Sequence, residues 1–466
     1  MRISIVGAGF CGTALASQLA RTAGPDLEIC LIGEPASFGR GVAYGCARPE
    51  HFLNVRAGDM GLEPENPGGF ADWLELSDGS RHAFLPRHLF GEYLSRQLSA
   101  ALANSPAKLR AYTEDVISVE RIPGGFRVYL ADGSDFFSDQ VVLAVGTLPP
   151  QPLPALDTRL STDSRYVNWP WREGVLDAIP RDARVLILGT GLTMADVVMS
   201  LNTAGHTGPI HAVSRHGIAP LAHGRPRRST PTPPALLKAI ERSSLRGLLR
   251  TLREMSRVSD DWRPLVDSLR PHTQSLWKRL TVKQRMRFLR HLKSYWEVHR
   301  HRVAPEVADC LEQLRGSGQL KIDAGHLLHA RLDRGTVEAY IRPRGTAHAQ
   351  CERYDFLVRA TGFDTDIDTT THALIAHLRA SELIRPDPYG LGIACDDLGE
   401  VLDRHGRRIP GLFCIGPLQR GRLWEITAVP ELRTAARDLA RHLVNTMASR
   451  TAGAPRNRSA GTRSAI

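Results

Sequence analysis

Three glycines near the start of the chain, Gly7, Gly9 and Gly12, have the GxGxxG spacing of a loop that can hold phosphates. The first glycine permits a tight turn from strand to helix, the second lets the backbone approach a pyrophosphate, and the third lets the helix pack on the strand. Glu34 follows the next apolar run, about 20 residues further on, where a carboxylate can accept hydrogen bonds from a ribose. We therefore predict a dinucleotide site within residues 1–34.

A second strand–glycine–helix unit begins at Gly189 and Gly191, with Met194 in the place of the third glycine. The strand after it ends in Ser214 and Arg215, where the first unit has an acid. An arginine at that position accommodates the 2′-phosphate of NADPH, which a carboxylate would repel. The sequence therefore predicts an NADPH site, and an exposed loop arginine is the alternative interpretation of Arg215.

Two nucleotide units in one chain suit hydride transfer between two cofactors, FAD in the first unit and NADPH in the second. Two further buried strands end in small residues at Gly146 and Gly362, and a later strand ends in a tight turn at Gly416. Thr427 precedes a predicted helix, and Pro430 suits its first turn. The N-terminus of that helix would stabilise negative charge on a reduced flavin ring.

The composition of the 466 residues fits two or three domains. The seven cysteines are scattered and never have CxxC spacing, which argues against a disulfide framework and the redox pair of a thiol–disulfide reductase, and we expect no metal site. Much of the net charge of +11 is arginine in a helical middle segment and the tail, so we do not expect a nucleic-acid partner. No apolar run reaches about 18 residues, so we expect no membrane span and a cytoplasmic protein.

Periodicity and turn residues predict an α/β protein with two nested Rossmann-like domains of the three-layer ββα type. Between the two halves of the second domain, a proline-rich and then basic, helical insertion would cover an active site. The predicted segments are residues 1–165 and 336–449 for a discontinuous FAD-binding domain, 180–225 and 303–335 for an NADPH-binding domain, 226–302 for the insertion and 450–466 for a disordered tail.

The two glycine units are accompanied by further motifs at residues 39–45, 51–55, 214–217, 296–302 and 416–433. With them, nearly the whole chain resembles the FAD/NAD(P)-binding protein family, a relative of the flavin-dependent N-hydroxylating monooxygenases, which include ornithine and lysine hydroxylases and nitrosuccinate synthases. The resemblance implies FAD and NADPH as cofactors, capture of O₂ as a C4a-hydroperoxide, and oxygen transfer to a small amine or amino acid. The FxGxxxH element of the Baeyer–Villiger and drug-metabolising monooxygenases is absent. This favours the amine-hydroxylating branch or a family member that does not transfer oxygen.

Residues in and around these motifs are the candidates for cofactor contact. The predicted cofactor-binding residues are Gly7, Gly9, Phe10, Cys11, Gly12, Glu34, Arg40, His51, Asn54, Gly146, Gly189, Gly191, Leu192, Thr193, Ser214, Arg215, Gly362, Gly416 and Thr427.

The catalytic residues are not identified by the sequence, and Arg40, Asn54, Trp424 and Glu425 are the candidates. Arg40 could meet a phosphate or cap a turn. Asn54 and Trp424 could face the substrate, as could Arg433, or serve packing and turn capping. Glu425 could act as a base near the flavin or form a surface salt bridge.

Three functions stay open at this point. The first is an NADPH-dependent flavin monooxygenase with O₂ and a small amine or amino acid as its partners. The second is a flavin dehydrogenase or reductase without oxygen transfer, and the third is a nucleotide-binding redox protein without turnover. The sequence is compatible with a homo-oligomer.

Overall fold

The protein is described here from a computed structural model, which describes residues 1–34, 38–226, 230–242 and 244–453. The strands are β1 Arg2–Val6, β2 Glu28–Ile32, β3 Lys108–Tyr112, β4 Val116–Ile122, β5 Gly125–Leu130, β6 Asp135–Ser138, β7 Gln140–Leu143, β8 Tyr166–Val167, β9 Val185–Leu188, β10 Ile210–Ser214, β11 Leu320–Asp333, β12 Thr336–Pro343, β13 Gln350–Tyr354, β14 Phe356–Arg359, β15 Glu400–Leu402 and β16 Arg408–Cys414.

The helices alternate with these strands in both sheets and cluster between β10 and β11. They are α1 Phe10–Thr22, α2 Gly41–Gly45, α3 Gly69–Trp73, α4 Arg87–Ala103, α5 Thr158–Thr162, α6 Leu192–Thr203, α7 Pro234–Glu241, α8 Leu245–Arg257, α9 Arg263–Asp267, α10 Thr273–Arg279, α11 Val282–His291, α12 Lys293–Arg300, α13 Pro305–Gly316, α14 Ala373–Ala380 and α15 Val429–Gly453.

The first sheet has the order β15-β16-β7-β1-β2-β3 and is parallel except at β15. Its central strands are buried on both sides, as their nearly unbroken apolar sequence predicts. Helices α1, α4 and α15 cover one face, while the antiparallel sheet β4-β5-β6 and α14 cover the other. This arrangement confirms the predicted three-layer fold.

The second sheet has the order β13-β12-β11-β10-β9-β14-β8, with β10 and β14 parallel to β9. Helices α6 and α13 pack on one of its faces. Here the predicted boundaries need a correction, because β12, β13 and β14 lie in this sheet and not in the first domain. Residues 336–359 therefore extend the second domain, and the chain returns to the first sheet only at β15 and β16.

The predicted insertion contains α7 to α12, which form two apolar clusters. The cluster around Trp277, Leu280 and Phe288 includes Trp424, which lies between β16 and α15 of the first domain. The insertion belongs to the second domain by sequence, yet this core is shared with the first domain.

The C-terminal helix α15 begins at Val429, so Pro430 occupies its first turn as predicted. Residues 450–453 form the end of this helix and not part of a disordered tail, and residues 454–466 lie outside the described residues. Within the described chain, no helix combines the length and the apolar character that crossing a bilayer requires.

Candidate active site

The first glycine unit has the local geometry that its spacing predicts. Gly7 has φ +108°, and a Cβ on it would overlap the carbonyl oxygen of Ala144 at the end of β7. A Cβ on Gly12 would overlap the carbonyl of Gly7, so helix and turn can approach this closely only without side chains. Gly9 faces Gly41, whose Cα would lie 3.5 Å from an added Cβ. The first turn of α1 carries no acid, which leaves its N–H groups suited to an anion.

Phe10 and Cys11 lie in this first turn, but their side chains point into the protein core. Burial raises the pKa of the Cys11 thiol to about 12, so the thiol stays neutral. A Cβ on Gly416 would lie 2.8 Å from the Cys11 Sγ, and Gly416 has φ +100°. The turn after β16 therefore packs directly against the start of α1. Glu34 lies two residues after the end of β2 and is exposed.

The second glycine unit repeats this design with one change. Gly189 has φ +114°, and a Cβ on it would overlap the carbonyl oxygen of Ala360 at the end of β14. Gly191 faces open space, with no atom within 4 Å of an added Cβ. Met194, at the position of the third glycine, is fully buried. Leu192 and Thr193 form the first turn of α6, which carries no acid.

Ser214 organises the turn after β10. Its Oγ lies 2.8 Å from the Oγ1 of Thr190 and accepts a hydrogen bond from the backbone N–H of Gly217 at 3.0 Å. These bonds tie the end of β10 to the second glycine unit. Arg215 follows with an exposed side chain at the same cavity wall. This places the predicted 2′-phosphate residue beside the predicted glycine cradle.

A cavity of about 760 Å³ connects the second unit with the first domain. At one end it is lined by residues 188–193 and 213–216, and at the other by Asn54, Pro417 and Thr427 to Val429. Its volume lies within the range of small-molecule sites. Gly362 also lines it and has φ +84°. The lining residues of this cavity do not include Gly7, Gly9, Gly12, Glu34 or Gly146. The predicted cofactor contacts of these five residues therefore concern the crevice at the first glycine unit and not this cavity.

One face of α12, continued by His301, forms a polar wall of this cavity. Lys293, Glu297 and His301 recur at four-residue spacing and line it together. Burial, the dominant cause, and the surrounding guanidinium groups lower the pKa of His301 to about 3. Burial also lowers the pKa of Lys293, reinforced by Arg420 and Arg215 and opposed by Glu297.

Most of the guanidinium groups around the cavity are ion-paired. The Arg270 side chain donates to both oxygens of Glu431 at 2.8 Å, and the Arg420 Nη2 donates to Glu297 at 2.8 Å. Arg420 also lies 4.5 Å above the Trp424 ring. These contacts join the insertion to the segment around the start of α15, so the cavity is closed by contacts between domains.

Glu425 forms a buried ion pair and not the surface salt bridge that was the alternative prediction. It is 3% exposed, and one carboxylate oxygen accepts a hydrogen bond from the Trp296 Nε1 at 2.6 Å while the other accepts one from the Arg300 Nε at 3.2 Å. With both oxygens engaged, the group is a buried contact to α12, and its role as a base stays a prediction. Trp424 stacks on Trp277 with ring centroids 4.8 Å apart, which is the packing alternative.

Two other candidates, Arg433 and Arg40, also bind protein groups. Arg433 donates to the carbonyl oxygens of Asp59, Gly61 and Pro67, and it therefore braces a loop instead of facing a substrate. Arg40 immediately precedes α2, and its Nε donates to the Ser95 Oγ at 3.1 Å. The Arg40 side chain thus contacts α4 and, among the described residues, forms no hydrogen bond that caps α2, and its role at a phosphate stays a prediction.

His51, a predicted cofactor residue, has its ring between the two domains, where both ring nitrogens contact protein groups. Its Nδ1 accepts a hydrogen bond from the backbone N–H of Arg48, and its Nε2 lies 2.8 Å from the Ser200 Oγ on α6. Burial lowers the pKa of His51 to about 4, with a further contribution from Arg87. The neutral ring therefore carries its proton on Nε2 and donates to Ser200, which in turn donates to Glu50.

A second contact between the domains was not predicted. Arg87, at the start of α4, donates to both carboxylate oxygens of Asp196 on α6 at 2.9 and 3.0 Å. Burial raises the pKa of Asp196, and the pairing with Arg87 opposes this shift. Both residues lie within short helix-start motifs, but nothing in the sequence pairs them. The four-residue spacing of Lys293, Glu297 and His301, by contrast, could have been found in the sequence.

Comparisons with known proteins support the fold. Residues 4–148 match a family model described as FAD-NAD(P)-binding. An uncharacterised protein of Mycobacterium tuberculosis, strain H37Rv, is 24% identical over 91% of this chain and 90% of its own length. Two solved structures are similar at low identity. The first is an ornithine N-hydroxylase of Kutzneria sp. 744, with a TM-score of 0.66, 15% identity and coverage of 96% of this chain and 99% of that one. The second is an L-lysine 6-monooxygenase of Pseudomonas syringae, with a TM-score of 0.63, 17% identity and coverage of 95% of this chain and 99% of that one.

These likenesses confirm the α/β fold with two dinucleotide-type domains, and the match over residues 4–148 confirms an FAD-NAD(P)-binding domain at the start of the chain. Within the described residues no group of three or more His, Cys, Asp or Glu side chains is arranged to hold a metal ion.

Proposed function

We propose that the protein is an FAD-dependent, NADPH-reduced oxidoreductase, and that it is a monooxygenase that hydroxylates a small amine or amino acid. The observation that carries the proposal is the cavity that runs from the second glycine unit to the start of α15 beside Gly416. The second dinucleotide cradle opens into this cavity, and the turn at Gly416, next to lining residue Pro417, packs against Cys11 in the first cradle. Such proximity of two cofactor sites is what hydride transfer between them requires.

The first crevice fits FAD because its backbone leaves room for a pyrophosphate. Gly9 and the N–H groups of the first turn of α1 would hold the phosphates, and Glu34 would accept hydrogen bonds from the ribose. Bound flavin supplies the acceptance of hydride and the reaction with O₂. The start of α15, at Thr427 to Val429, lines the cavity and would stabilise negative charge near the flavin.

The second crevice fits NADPH. Gly191 leaves open space at the N-terminus of α6, where a pyrophosphate would lie against free N–H groups. Arg215 would bind the 2′-phosphate, because a guanidinium group forms paired hydrogen bonds with phosphate oxygens. The exposed position of Arg215 at the cavity edge suits contact with the far end of the cofactor.

Oxygen transfer to an amine follows R–NH₂ + O₂ + NADPH + H⁺ → R–NHOH + NADP⁺ + H₂O. One oxygen atom goes to nitrogen, and the other is reduced to water by the two electrons of NADPH. The similar structures include proteins named as ornithine, lysine and cadaverine hydroxylating enzymes, which supports an amine as the substrate. The insertion would keep bulk water from the reacting atoms, because α12 forms the cavity wall.

The test is purification without added cofactor, followed by a visible spectrum, reduction with NADPH or NADH, and product analysis with a panel of amines. We expect a yellow protein with FAD, faster reduction by NADPH, and a hydroxylamine product with at least one amine. Flavin reduction with no hydroxylated product would favour a dehydrogenase or reductase. A colourless protein that does not take up FAD would overturn the proposal.

A further inference from the structure

The cationic side chains that line the cavity outnumber the carboxylates that pair with them. Arg87, Arg270, Arg300 and Arg420 each have a carboxylate partner, namely Asp196, Glu431, Glu425 and Glu297. Lys293 shares Glu297 with Arg420, at 4.0 Å from its Nζ. Arg215 has no ion pair within the described part of the chain and is assigned to the NADPH phosphate. One positive charge at Lys293 and Arg420 therefore remains uncompensated in the cavity wall.

The donors at this point converge on a single carboxylate oxygen. Both the Arg420 Nη2, at 2.8 Å, and the Lys293 Nζ face the Oε1 of Glu297. The Arg420 Nε is buried and, within the described residues, has no hydrogen-bond partner. The Trp424 ring below the guanidinium group holds its plane in place. Two cations thus face one carboxylate oxygen at the cavity wall, and the single charge of Glu297 cannot neutralise both.

We propose, resting on the function above, that the substrate carries a carboxylate bound by Arg420 and Lys293 beside Glu297, and that its net charge is zero or negative. A diamine would instead place a second ammonium group among cations. Asp196 and Glu297 are the carboxylates among the described lining residues, and both are already paired with an arginine. The site therefore favours an amine with an acid group over a diamine.

The test uses two probes of equal length and opposite charge, glutarate and cadaverine, titrated into the purified holoenzyme by calorimetry. We expect glutarate to bind at least about tenfold more tightly than cadaverine, since charge-assisted hydrogen bonds are lost with the latter. This readout needs no turnover, so a failure of the proposed oxygen transfer is seen separately in the product assay. Glutarate that binds no more tightly than cadaverine, including no binding of either, would overturn the inference.

Two variants sharpen the result. Lys293→Met should weaken glutarate about tenfold. Glu297→Gln should strengthen it, because it removes the competing carboxylate. If Glu297 instead serves an ammonium group of the substrate, the same variant weakens cadaverine and leaves glutarate unimproved, which contradicts the proposal. The side chains of Lys293 and Glu297 are 33% and 35% exposed, so both variants should fold. Arg290→Gln, at an exposed position on α11, is the matched control and should change neither probe.

Discussion

The two glycine crevices share the same backbone geometry at their first glycine but differ in the side chain at the third position of the motif. In each, a glycine with positive φ presses against the carbonyl of an alanine that ends the neighbouring strand, Gly7 on Ala144 and Gly189 on Ala360. They diverge at the third position of the motif. There Gly12 leaves no room for a Cβ, whereas Met194 contributes a whole side chain to the core.

This difference shows which part of the motif is indispensable. The close contact of the turn with the adjacent strand end is common to both units and requires glycine. The contact between helix and turn depends on how closely the helix lies against its own strand, and α6 replaces it with hydrophobic packing. In the first unit the helix and the turn are thus in direct backbone contact, and the second unit opens into the cavity.

The strongest way to break this comparison is Gly12→Ala. Because a Cβ there would overlap the carbonyl of Gly7, the turn must shift, and we expect a loss of more than about 4 kcal/mol in the free energy of unfolding together with loss of FAD. Thermal unfolding and the flavin-to-protein absorbance ratio measure both effects.

Gly191→Ala is the matched control for that variant. It lies at a normal φ of −90° with open space around it, so the fold should tolerate a methyl group. If Gly12→Ala keeps its stability and its flavin while Gly191→Ala loses stability, the first crevice is not the tightly packed one and the comparison is contradicted.

The second variant tests the packing at the third position. Met194→Ala should cost about 2–5 kcal/mol of stability, since it leaves a cavity in the second core. Met194→Leu conserves volume and should cost less than about 1.5 kcal/mol. Denaturant titration distinguishes the two, and equal losses would mean that α6 does not rely on this side chain.

A third prediction concerns the contact between the two domains at His51. Its pKa falls from 6.5 to about 4 on folding, so the unfolded chain binds the additional proton between these values. The contribution of His51 to stability should be constant above pH 6.5 and fall by about 2–3 kcal/mol as the pH approaches 4. Arg87 and Arg48 oppose protonation and Glu50 favours it.

The measurement is unfolding as a function of pH for the wild type and His51→Gln. The variant should show a flatter profile in this window, because the glutamine does not titrate. An identical slope in both proteins would show that His51 does not control the acid sensitivity of the contact.

The smallest expected effect is on cofactor choice in the second crevice. Arg215→Gln should reduce the ratio of kcat/KM for NADPH over NADH by about tenfold, the loss of one or two charge-assisted hydrogen bonds. Steady-state rates with both cofactors measure it. Arg290→Gln should leave the ratio unchanged, and an unchanged ratio in Arg215→Gln would place the 2′-phosphate elsewhere.

The glycine units could be predicted because their requirements lie within a few consecutive residues. The assignment of residues 336–359 was wrong for the opposite reason. β14 has the same apolar run and the same ending in small residues as β7, and such a pattern shows that a strand is buried but not which strand it pairs with. Only the pairing with β9 places it in the second sheet.

The roles of Trp424 and Glu425 could not be predicted because their partners lie more than a hundred positions away in sequence. Glu425 binds Trp296 and Arg300, and Trp424 stacks on Trp277, all of them on the insertion. Trp424 and Glu425 are buried only because the insertion packs on the segment before α15, and this packing is not visible in either segment's sequence alone. The glycine positions around the cofactors and the NADPH role of Arg215 stay predictions that the variants above address.

The position of the insertion has a practical consequence for domain exchange between relatives. Residues 230–302 lie inside the second domain along the chain, but Trp277, Trp296 and Arg270 are held by Gly421, Glu425 and Glu431 of the first. A chimera that receives a foreign second domain should therefore retain its native insertion, spliced near the bridge between Ala222 and Val303. If a foreign insertion were grafted together with the foreign second domain, Gly421, Glu425 and Glu431 would lose their hydrogen bonds to Trp277, Trp296 and Arg270.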